Sequence, residues 1–323
     1  MKASLASLML AAIVLATATL PLPAQEWPDR PIKIMVGFGP GGGTDVATRV
    51  VADPLGEALG QRIIVENKPG AGGALAGEAV AKGPKDGYTA LMISAGHTVS
   101  AVMVKSLGYD PIKDFAPVGL IANSALVLVT GKDFPTNDVK GLVEIAKKEP
   151  GKLNFASVGV GSTQHLTAEL FNQRTGINTQ HVAFRSTGEV VTALIRKDVS
   201  YAVEVAHAVR GQIESGDLKV LAVATPERWP TLPNVPTMIE SGVPDFQVVT
   251  WYGLVFPAGV PPVAIEKTRK ALAQALSRDA VKTQLSNVGA LAALSTPQEF
   301  GKLIETEILR WRDVATKANL EPK

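Results

Sequence analysis

The most informative segment of the chain reads Ile32-Lys33-Ile34-Met35-Val36-Gly37-Phe38-Gly39-Pro40-Gly41-Gly42-Gly43-Thr44-Asp45. Its first part is apolar and β-branched apart from one lysine, which predicts a buried parallel strand. The glycines and the proline predict a loop, and Thr44 and Asp45 open a helical pattern. Because a helix N-terminus presents free backbone N–H groups and the positive end of the helix dipole, this unit predicts a site for an anion.

Strands and helices alternate after this segment, which predicts an α/β fold. We expect helices at 45–59 and 71–82 and further strands at 63–66 and 88–94. We also expect a short helical piece near Met238 and helices at 262–276, 280–288 and 297–318, with Pro262 and Pro297 where a first-turn proline is tolerated. A second set of alternating helices and strands runs from 139 to 224. Right-handed crossovers between such strands would place them in mostly parallel, doubly wound sheets.

Two long β-rich stretches, 118–130 and 247–256, separate these sets. Each is long for one strand, so we interpret them as two crossings of the chain between two domains. Residues 25–123 plus 250–323 would form one discontinuous domain, and residues 124–249 would form the other. The glycine loops would then face each other across a ligand cleft between the domains.

The first residues predict export. Lys2 precedes an apolar run over 5–20, and Pro21-Leu22-Pro23-Ala24 follows it. This pattern is typical of a Sec-type signal peptide, residues 1–24, cleaved near Ala24. A membrane anchor is the alternative, but the apolar run is short for a bilayer span and no basic stop-transfer cluster follows. The chain has no cysteine, which excludes a lipid-anchored cysteine and a disulfide, and we predict a periplasmic protein.

The first glycine loop leaves an enzymatic alternative open. Gly37-Phe38-Gly39-Pro40-Gly41-Gly42 has the G-x-G-x-x-G spacing of a dinucleotide-binding loop, and Glu66 ends the next strand, where a ribose-binding acid would lie. An exported protein is not expected to meet a soluble nicotinamide pool, however, and Pro40 with the extra glycines makes a wider loop than a pyrophosphate needs. A secreted α/β enzyme that binds a nucleotide is therefore the alternative to a binding protein.

Other patterns of catalysis, metal binding and nucleic-acid binding are missing from the sequence. There is no Gly-x-Ser-x-Gly elbow and no His-Glu-x-x-His motif, and His97, His165, His181 and His207 lack the spacing of metal ligands. The net charge is only +2 over 323 residues, which gives no basic surface for a nucleic acid. We therefore expect no catalytic residue, no metal, no cofactor and no nucleic-acid partner. His97 and His165 follow loops at strand ends, so each could donate a hydrogen bond to a ligand or bond only to local backbone.

Two further loops have similar chemistry to the first. Ser157-Val158-Gly159-Val160-Gly161-Ser162-Thr163 joins a strand to a helix, and so does Arg185-Ser186-Thr187-Gly188. Ser162 or Thr163 is expected to cap its helix and could also contact a ligand. Arg185 could be a solvated charge or a ligand contact. Three anion-friendly loops without a convincing nucleophile, base or metal favour binding over catalysis.

Several ordered motifs run from Trp27 to Ala318. They read Trp27-Pro28-Asp29-Arg30-Pro31-Ile32, Pro40-Gly41-Gly42-Gly43-Thr44-Asp45, Val65-Glu66-Asn67-Lys68-Pro69-Gly70-Ala71-Gly72-Gly73, Asp86-Gly87-Tyr88-Thr89, Tyr109-Asp110-Pro111, Asp114-Phe115-Ala116-Pro117, Pro150-Gly151-Lys152-Leu153-Asn154-Phe155-Ala156-Ser157 and Leu232-Pro233-Asn234-Val235-Pro236-Thr237. With these motifs the chain resembles the tripartite tricarboxylate transporter substrate-binding family, the TctC-like or Bug extracytoplasmic receptors. The resemblance implies a two-domain type II periplasmic-binding-protein fold that closes around a small carboxylate.

The resemblance also implies ligand contacts at matching positions. In that family the loop after the first strand and the loop matching 157–163 hold one carboxylate, largely through backbone and ordered water. The matching residues here are Phe38, Gly42, Thr44, Asp45, Ser94, His97, Gly161, Ser162, Thr163 and His165. Asp45 is expected to serve mainly as a brace for the loop and the helix, because a bare carboxylate would repel an anionic ligand.

The part of the site that would hold the distal end of the ligand departs from the family pattern. Phe184-Arg185-Ser186 stands where the family often has Tyr-Lys-Gly, and Ser200 and Glu204 stand where it often has two aspartates. Arg185, Ser186 and Glu204 are therefore additional candidate contacts. Arg185 and the missing charge at Ser200 favour a second carboxylate on the ligand, whereas Glu204 opposes one.

We thus predict a periplasmic receptor, not an enzyme, that captures a small organic carboxylate and delivers it to the membrane subunits of a tripartite tricarboxylate transporter. The ligand could be a di- or tricarboxylate, or an aromatic acid enclosed by Phe38, Phe184 and Trp251. We expect a monomer. A ligand sensor without a transport partner is a second alternative, beside the nucleotide-binding enzyme.

Overall fold

The computed structural model of the protein describes residues 27–322. The predicted signal peptide, residues 1–24, lies outside these residues. Within 27–322 no helix is both long enough and apolar enough to cross a membrane. All elements given below follow the predicted cleavage site near Ala24.

The first part of the described chain alternates strands and helices, as predicted. The elements are β1 (Ile32–Val36), α1 (Gly43–Leu59), β2 (Ile63–Asn67), α2 (Ala74–Ala81), β3 (Thr89–Ser94) and α3 (Ala95–Met103). β1 lies between β2 and β3 and pairs with both in parallel. The loops after β1 and β3 consequently leave the sheet at the same edge.

A long strand, β4 (Phe115–Gly131), leads into a second alternating set. This set contains α4 (Val139–Lys148), β5 (Asn154–Ser157), α5 (Thr163–Thr175), β6 (Gln180–Ala183), α6 (Thr187–Arg196), β7 (Tyr201–Val205), a 3-10 turn (Ala206–Val209), α7 (Arg210–Glu214) and β8 (Leu218–Val223). β5 lies between β6 and β7 and pairs with both in parallel. The loop after β5 therefore occupies the place in this set that the loop after β1 occupies in the first.

The last part of the chain returns to the first set of strands. It contains β9 (Val249–Pro257), α8 (Pro262–Ser277), α9 (Asp279–Asn287), β10 (Ala290–Ala292) and α10 (Pro297–Lys317). β9 pairs antiparallel with β3 and β4, and β10 pairs antiparallel with β4. Pro262 and Pro297 lie in the first turns of α8 and α10, as predicted, because a first-turn residue has no intrahelical N–H bond to lose.

β4 joins the two sets of strands into one sheet. Its residues from Phe115 to Ala125 pair with β9, and its residues from Leu126 to Gly131 pair with β7 and β8. The α/β class is confirmed, but the sheet is mixed rather than mostly parallel. The parallel trios lie toward the two ends of the sheet, because β4 and β9 run antiparallel to their neighbours.

The helix α10 packs on both sets of strands. Phe300 and Ile304 lie in one apolar cluster with Leu91 of β3. About two turns after Ile304, Trp311 lies in a different cluster with Phe171 of α5. The domain limits given above stay a prediction, and this helix, assigned there to the discontinuous domain, also contributes to the core under the second set of strands.

Three short elements differ from the sequence prediction. A helix begins directly at Ala95, where no helix was predicted, and the three-residue strand β10 was not predicted either. The helical piece expected near Met238 is a set of hydrogen-bonded turns, such as the Val243 N–H to Met238 C=O bond. Only the helix at Ala95 bears directly on the site, because it begins at the edge where the glycine loops lie.

Candidate functional site

A cavity of about 440 Å³ lies between the loops of the two sets of strands. Its walls from the first set are Phe38, Gly42, Gly43, Thr44, Gly72, Ser94, Gly96, Val99 and Ser100, and those from the crossing strands and the second set are Leu126, Val158, Gly161, Ser162, Thr163, Gln164, Val205, Thr250 and Tyr252. A wider groove of about 840 Å³ lies on the surface between α8 and α10, beside Ala116 and Pro117 of β4, and none of the glycine loops lines it. The cavity between the sets is therefore the candidate site.

Three helix N-termini converge on this cavity. Gly42 precedes α1, Ser94 precedes α3 and Ser162 precedes α5, and all three residues line the cavity. The first backbone N–H groups of a helix have no intrahelical acceptor, and the helix dipole places partial positive charge there. Every lining side chain is neutral. The walls can therefore hold an anion through N–H and O–H donors without a fixed positive charge.

The N-termini of α1 and α3 lack side-chain caps. Neither Gly42 nor Ser94 accepts a backbone N–H through its side chain. Side-chain capping normally satisfies one of these donors. The donors at both N-termini are thus available to a ligand, and they lie on the same wall of the cavity.

Asp45 holds the first loop from behind. It accepts the Gly41 N–H at 2.9 Å, the Arg49 Nε at 3.0 Å and the Asn67 Nδ2 at 2.8 Å. Its side chain is only 2% exposed, and burial alone would raise its pKa, but the bonds from Arg49, Gly41 and Asn67 outweigh burial and lower the pKa. Asp45 does not line the cavity, in agreement with the brace role expected for it.

Asn67 holds the same first loop at a second point, Phe38. Its amide nitrogen also donates to the Phe38 C=O at 2.9 Å. Glu66, the alternative ribose-binding acid, instead pairs with Lys33 at 2.6 Å on a partly exposed strand surface. Glu66 is not among the cavity walls. The acid that the nucleotide alternative needs is therefore engaged away from the cavity.

The second loop is closed by its own side chains. Ser162 Oγ accepts the His165 N–H at 3.1 Å, and His165 Nδ1 accepts the Gly161 N–H at 3.0 Å. A neutral His165 that accepts at Nδ1 carries its proton on Nε2. The ring is buried and stacks on His181 with centroids 3.8 Å apart. His165 fixes the loop rather than lining the cavity, and Ser162 is the predicted N-cap.

Ser157, which is buried, and the half-buried His181 form a pair that resembles part of a catalytic triad. Their Oγ and Nε2 atoms are 2.7 Å apart, and Ser157 Oγ also donates to the Gly159 C=O at 3.0 Å. Ser157 is fully buried, so a substrate cannot reach its hydroxyl in this conformation. The pair shapes the second loop from beneath.

His97 points away from the cavity. Its Nε2 lies 2.9 Å from the Pro111 C=O, and its ring contacts Tyr109 and Phe115. Burial lowers its pKa, which favours the neutral ring. The side chain lines a separate cavity of about 20 Å³ behind Phe38. His97 therefore anchors the segment that follows α3.

Glu307 of α10 supports α3 and β9 beneath the cavity. Its Oε2 accepts the Trp251 Nε1 at 3.0 Å and the Thr98 Oγ1 at 3.1 Å, and Arg310 donates to its Oε1 at 2.8 Å. The suggestion that Trp251 encloses an aromatic ligand is wrong, because Trp251 is 1% exposed and packs on Phe300. Side chains alternate along a strand, and the next residue, Tyr252, faces the cavity instead.

The third predicted loop lies outside the cavity walls. Arg185 is exposed, and its backbone N–H donates to the Glu189 carboxylate at 2.9 Å. Ser186 is the N-cap of α6 and accepts the Glu189 N–H at 3.3 Å. Phe184 packs against the apolar core of the second set. This loop does not extend the walls in the conformation described.

Glu204 is buried just behind the second wall. It is 0% exposed, and its Oε2 accepts the Thr187 Oγ1 at 3.0 Å. Burial raises its pKa to about 7, although the bond from Thr187 and the nearby polar groups of Gln164 and the Val205 backbone oppose the shift. Its neighbours Gln164 and Val205 line the cavity, whereas its own carboxyl group does not.

Seven of the thirteen predicted contacts line the cavity. They are Phe38, Gly42, Thr44, Ser94, Gly161, Ser162 and Thr163. Sequence reasoning missed Gln164, which follows Thr163 in the first turn of α5, and Tyr252, which the strand alternation could have indicated. It also missed Gly96, because nothing in its surroundings marked the start of α3. Among residues 27–322 no group of three or more His, Asp and Glu side chains could hold a metal ion.

Known proteins share this fold and align with most of the length of this chain. The chain is 35% identical to Protein BugT of Bordetella pertussis over 315 residues. The aligned region covers 96% of this chain and 97% of that protein. The structure of R. palustris Rpa4515 with adipate has a TM-score of 0.80 at 32% identity and covers 92% of this chain and 100% of that chain. MatC from Rhodopseudomonas palustris with bound malate has a TM-score of 0.75 at 33% identity and covers 89% of this chain and 99% of that chain.

The match extends to a defined family. Residues 47–320 correspond to the family described as the tripartite tricarboxylate transporter family receptor, TctC. This range includes most of α1, the second glycine loop and both crossing strands. The chain belongs to the TctC family of tripartite tricarboxylate transporter receptors.

Proposed function

We propose that the protein is a periplasmic receptor that captures a small organic carboxylate in the cavity between its two sets of strands. The observation that carries this proposal is the convergence of the N-termini of α1, α3 and α5 on a cavity whose walls are all neutral. A carboxylate there would exchange its water for several N–H and O–H donors, so its desolvation is compensated.

The predicted contacts fit this arrangement. The carboxylate would be contacted on one wall by Gly42, Thr44 and Ser94 and on the other wall by Ser162 and Thr163. Asp45, His97 and His165 would act through the loops that they hold. Arg185 and Ser186 would reach a ligand only if the cleft closed further. Relatives whose structures contain adipate and malate support a carboxylate as the ligand class.

We further propose that the loaded receptor delivers its ligand to the membrane subunits of a tripartite tricarboxylate transporter. The family to which the chain belongs is described as the receptor of that transporter, which supports this role. Export by the predicted signal peptide would place the receptor in the periplasm with its ligand. A pull-down with the membrane subunits in detergent, with and without ligand, tests the delivery step; binding only of the loaded form supports it, and no binding of either form contradicts it.

A thermal-shift screen tests the ligand class. The panel contains malate, adipate, citrate, benzoate, amino acids and NAD. A ligand at about 100-fold over its dissociation constant stabilises the folded state by roughly 2.7 kcal/mol, which corresponds to a shift of a few degrees. We expect at least one carboxylate to produce this shift and NAD to produce none. A shift with NAD and with no carboxylate would favour the nucleotide-binding enzyme.

A further inference from the structure

Glu204 occupies an unusual position relative to the cavity. It is the second-to-last residue of β7, and the last residue, Val205, lines the cavity. Because side chains alternate along a strand, the carboxyl group points to the other face, toward the start of α6. There Thr187 Oγ1 donates to Oε2 at 3.0 Å, while the fully buried Oε1 has no hydrogen-bond partner. A buried oxygen without a donor favours the protonated carboxyl group.

No cation compensates this carboxyl group among the described residues. β4 carries no titratable residue, and its Val127 lies opposite Glu204 in the sheet. His165 and Glu169 of α5 lie 3.6 Å apart, and neither is a hydrogen-bond or charge partner of Glu204. Glu189 of α6 accepts the N–H of the exposed Arg185 instead.

The remaining neighbour with a titratable ring is also turned away. His207, in the turn after β7, packs its ring against Gly289. It is not a partner of Glu204 either. The groups that set the protonation of Glu204 are therefore burial, the Thr187 hydroxyl, the Gln164 side chain and the Val205 backbone, all of them neutral, and together they give a pKa of about 7.

Gln164 connects this carboxyl group with the cavity. It lines the cavity, and its side chain, in the first turn of α5, is one of the neutral polar groups near Glu204 that oppose the rise in its pKa. An ionised carboxylate can only accept, so it engages the amide nitrogen and leaves the amide oxygen for the cavity. A protonated carboxyl group can donate to the amide oxygen, which frees the amide nitrogen for a ligand. The two protonation states thus present opposite ends of one amide to the ligand.

We propose that Glu204 and Gln164 form a proton-linked specificity position: a carboxylate ligand binds best when Glu204 holds its proton, and ligand binding takes up a proton from solvent. This inference rests on the proposed capture of a carboxylate. Ionisation of Glu204 weakens binding in two ways, because it adds a negative charge behind the wall and because it turns an acceptor toward the ligand. The position consequently disfavours an anionic group on the ligand at high pH and tolerates a donor there.

Isothermal titration calorimetry tests this inference without any variant. The probe is whichever of malate, adipate and benzoate binds most tightly at about pH 6, and their carboxyl groups are ionised from there upward. Titrations at about pH 7 in two buffers with different ionisation enthalpies measure proton uptake directly. We expect net uptake of up to about half a proton per ligand at about pH 7, because about half of the free protein is already protonated there, and a loss of affinity of roughly tenfold or more between about pH 6 and about pH 8.5.

Two variants locate the effect. Glu204→Gln cannot ionise, so we expect its affinity to stay within about twofold of the pH 6 value of the native protein at both pH values. Glu189→Gln is the matched control, since it neutralises an exposed acid at the start of α6, and it should retain the native pH dependence. Equal affinity of the native protein at both pH values without proton uptake would overturn the inference and leave carboxylate capture intact. If no carboxylate bound at either pH, carboxylate capture itself would fail, and this inference with it.

Discussion

Two buried acids, Asp45 and Glu204, lie behind opposite walls of the same cavity and behave in opposite ways. Asp45 accepts three hydrogen bonds, one of them from the Arg49 guanidinium, and its pKa is lowered. Glu204 accepts one from a hydroxyl, leaves Oε1 without a donor, and its pKa is raised to about 7. The residue type is nearly the same, so the difference shows that the donors around a buried acid decide whether it braces a loop or titrates.

The helix N-termini on the two walls differ in a related way. Gly42 and Ser94 leave the N-termini of α1 and α3 without side-chain caps, whereas Ser162 caps α5 and His165 fixes the preceding loop. The first wall therefore depends on its ligand to satisfy its donors, and the second wall is already ordered. A preorganised wall costs less conformational entropy when it binds a ligand.

Removal of the Asp45 carboxylate should have the largest effect. Asp45→Ala leaves the Gly41 N–H and the Asn67 amide without their buried acceptor, and it unpairs Arg49, which is half exposed. We expect the free energy of unfolding to fall by about 4 kcal/mol and carboxylate binding to be lost. Urea unfolding and calorimetric titration measure both. Asp53→Ala, at an exposed position of α1, is the control and should change neither by much. Native-like stability of Asp45→Ala would show that Asp45 does not brace the first loop.

The stability of the native protein should depend on pH through Glu204. Its folded pKa of about 7 lies above its ordinary value of 4.5, so the folded state holds the proton more tightly than the unfolded state. The contribution of this proton to the free energy of unfolding is fully present below about pH 4.5 and is lost as the pH rises through about 7. The total loss is about 3 kcal/mol, which Glu204→Gln should abolish. Urea unfolding of both proteins at about pH 5 and about pH 8 measures the difference, and parallel pH profiles would contradict it.

A cap on the second wall should have a smaller effect that separates stability from binding. Ser162→Ala removes the acceptor of the His165 N–H, and we expect a loss of about 1 kcal/mol in unfolding free energy. Thr296→Ala removes the equivalent cap of α10, away from the cavity, at a similar cost. Only Ser162→Ala should also weaken carboxylate binding in calorimetry. Equal binding by the two variants would show that the order of the second wall does not matter for the ligand.

The sequence predicted the elements that local patterns specify. The apolar run at Ile32–Val36, the glycine loop and the helix after it lie as expected, and so do the N-cap at Ser162 and the prolines that begin α8 and α10. Each of these depends on neighbouring residues only: strand propensity, capping and the missing N–H of proline. The family resemblance then supplied the arrangement of two walls around a cleft.

The sequence could not predict contacts between distant residues. His97 was expected at the cavity, but Pro111, Tyr109 and Phe115 hold it elsewhere. Trp251 was one of three residues suggested to enclose an aromatic ligand as one alternative, but Glu307, 56 residues away, accepts its N–H beneath the site. Glu204 was recognised as a departure from the family. Only the packing of β4, α5 and α6 around it shows that, among the described residues, no cation pairs with its carboxyl group. In each case tertiary packing decides which face of an element meets the cavity.

A crystal structure with the carboxylate that gives the largest thermal shift tests the central claim most directly. We predict that the carboxylate oxygens lie within roughly 3 Å of backbone nitrogens at the start of α1 or α3 on one wall, or one ordered water away. On the other wall we predict the same distance to the Thr163 or Gln164 nitrogen, with no charged side chain in contact. A carboxylate paired instead with Arg185, away from the three helix N-termini, would contradict the account.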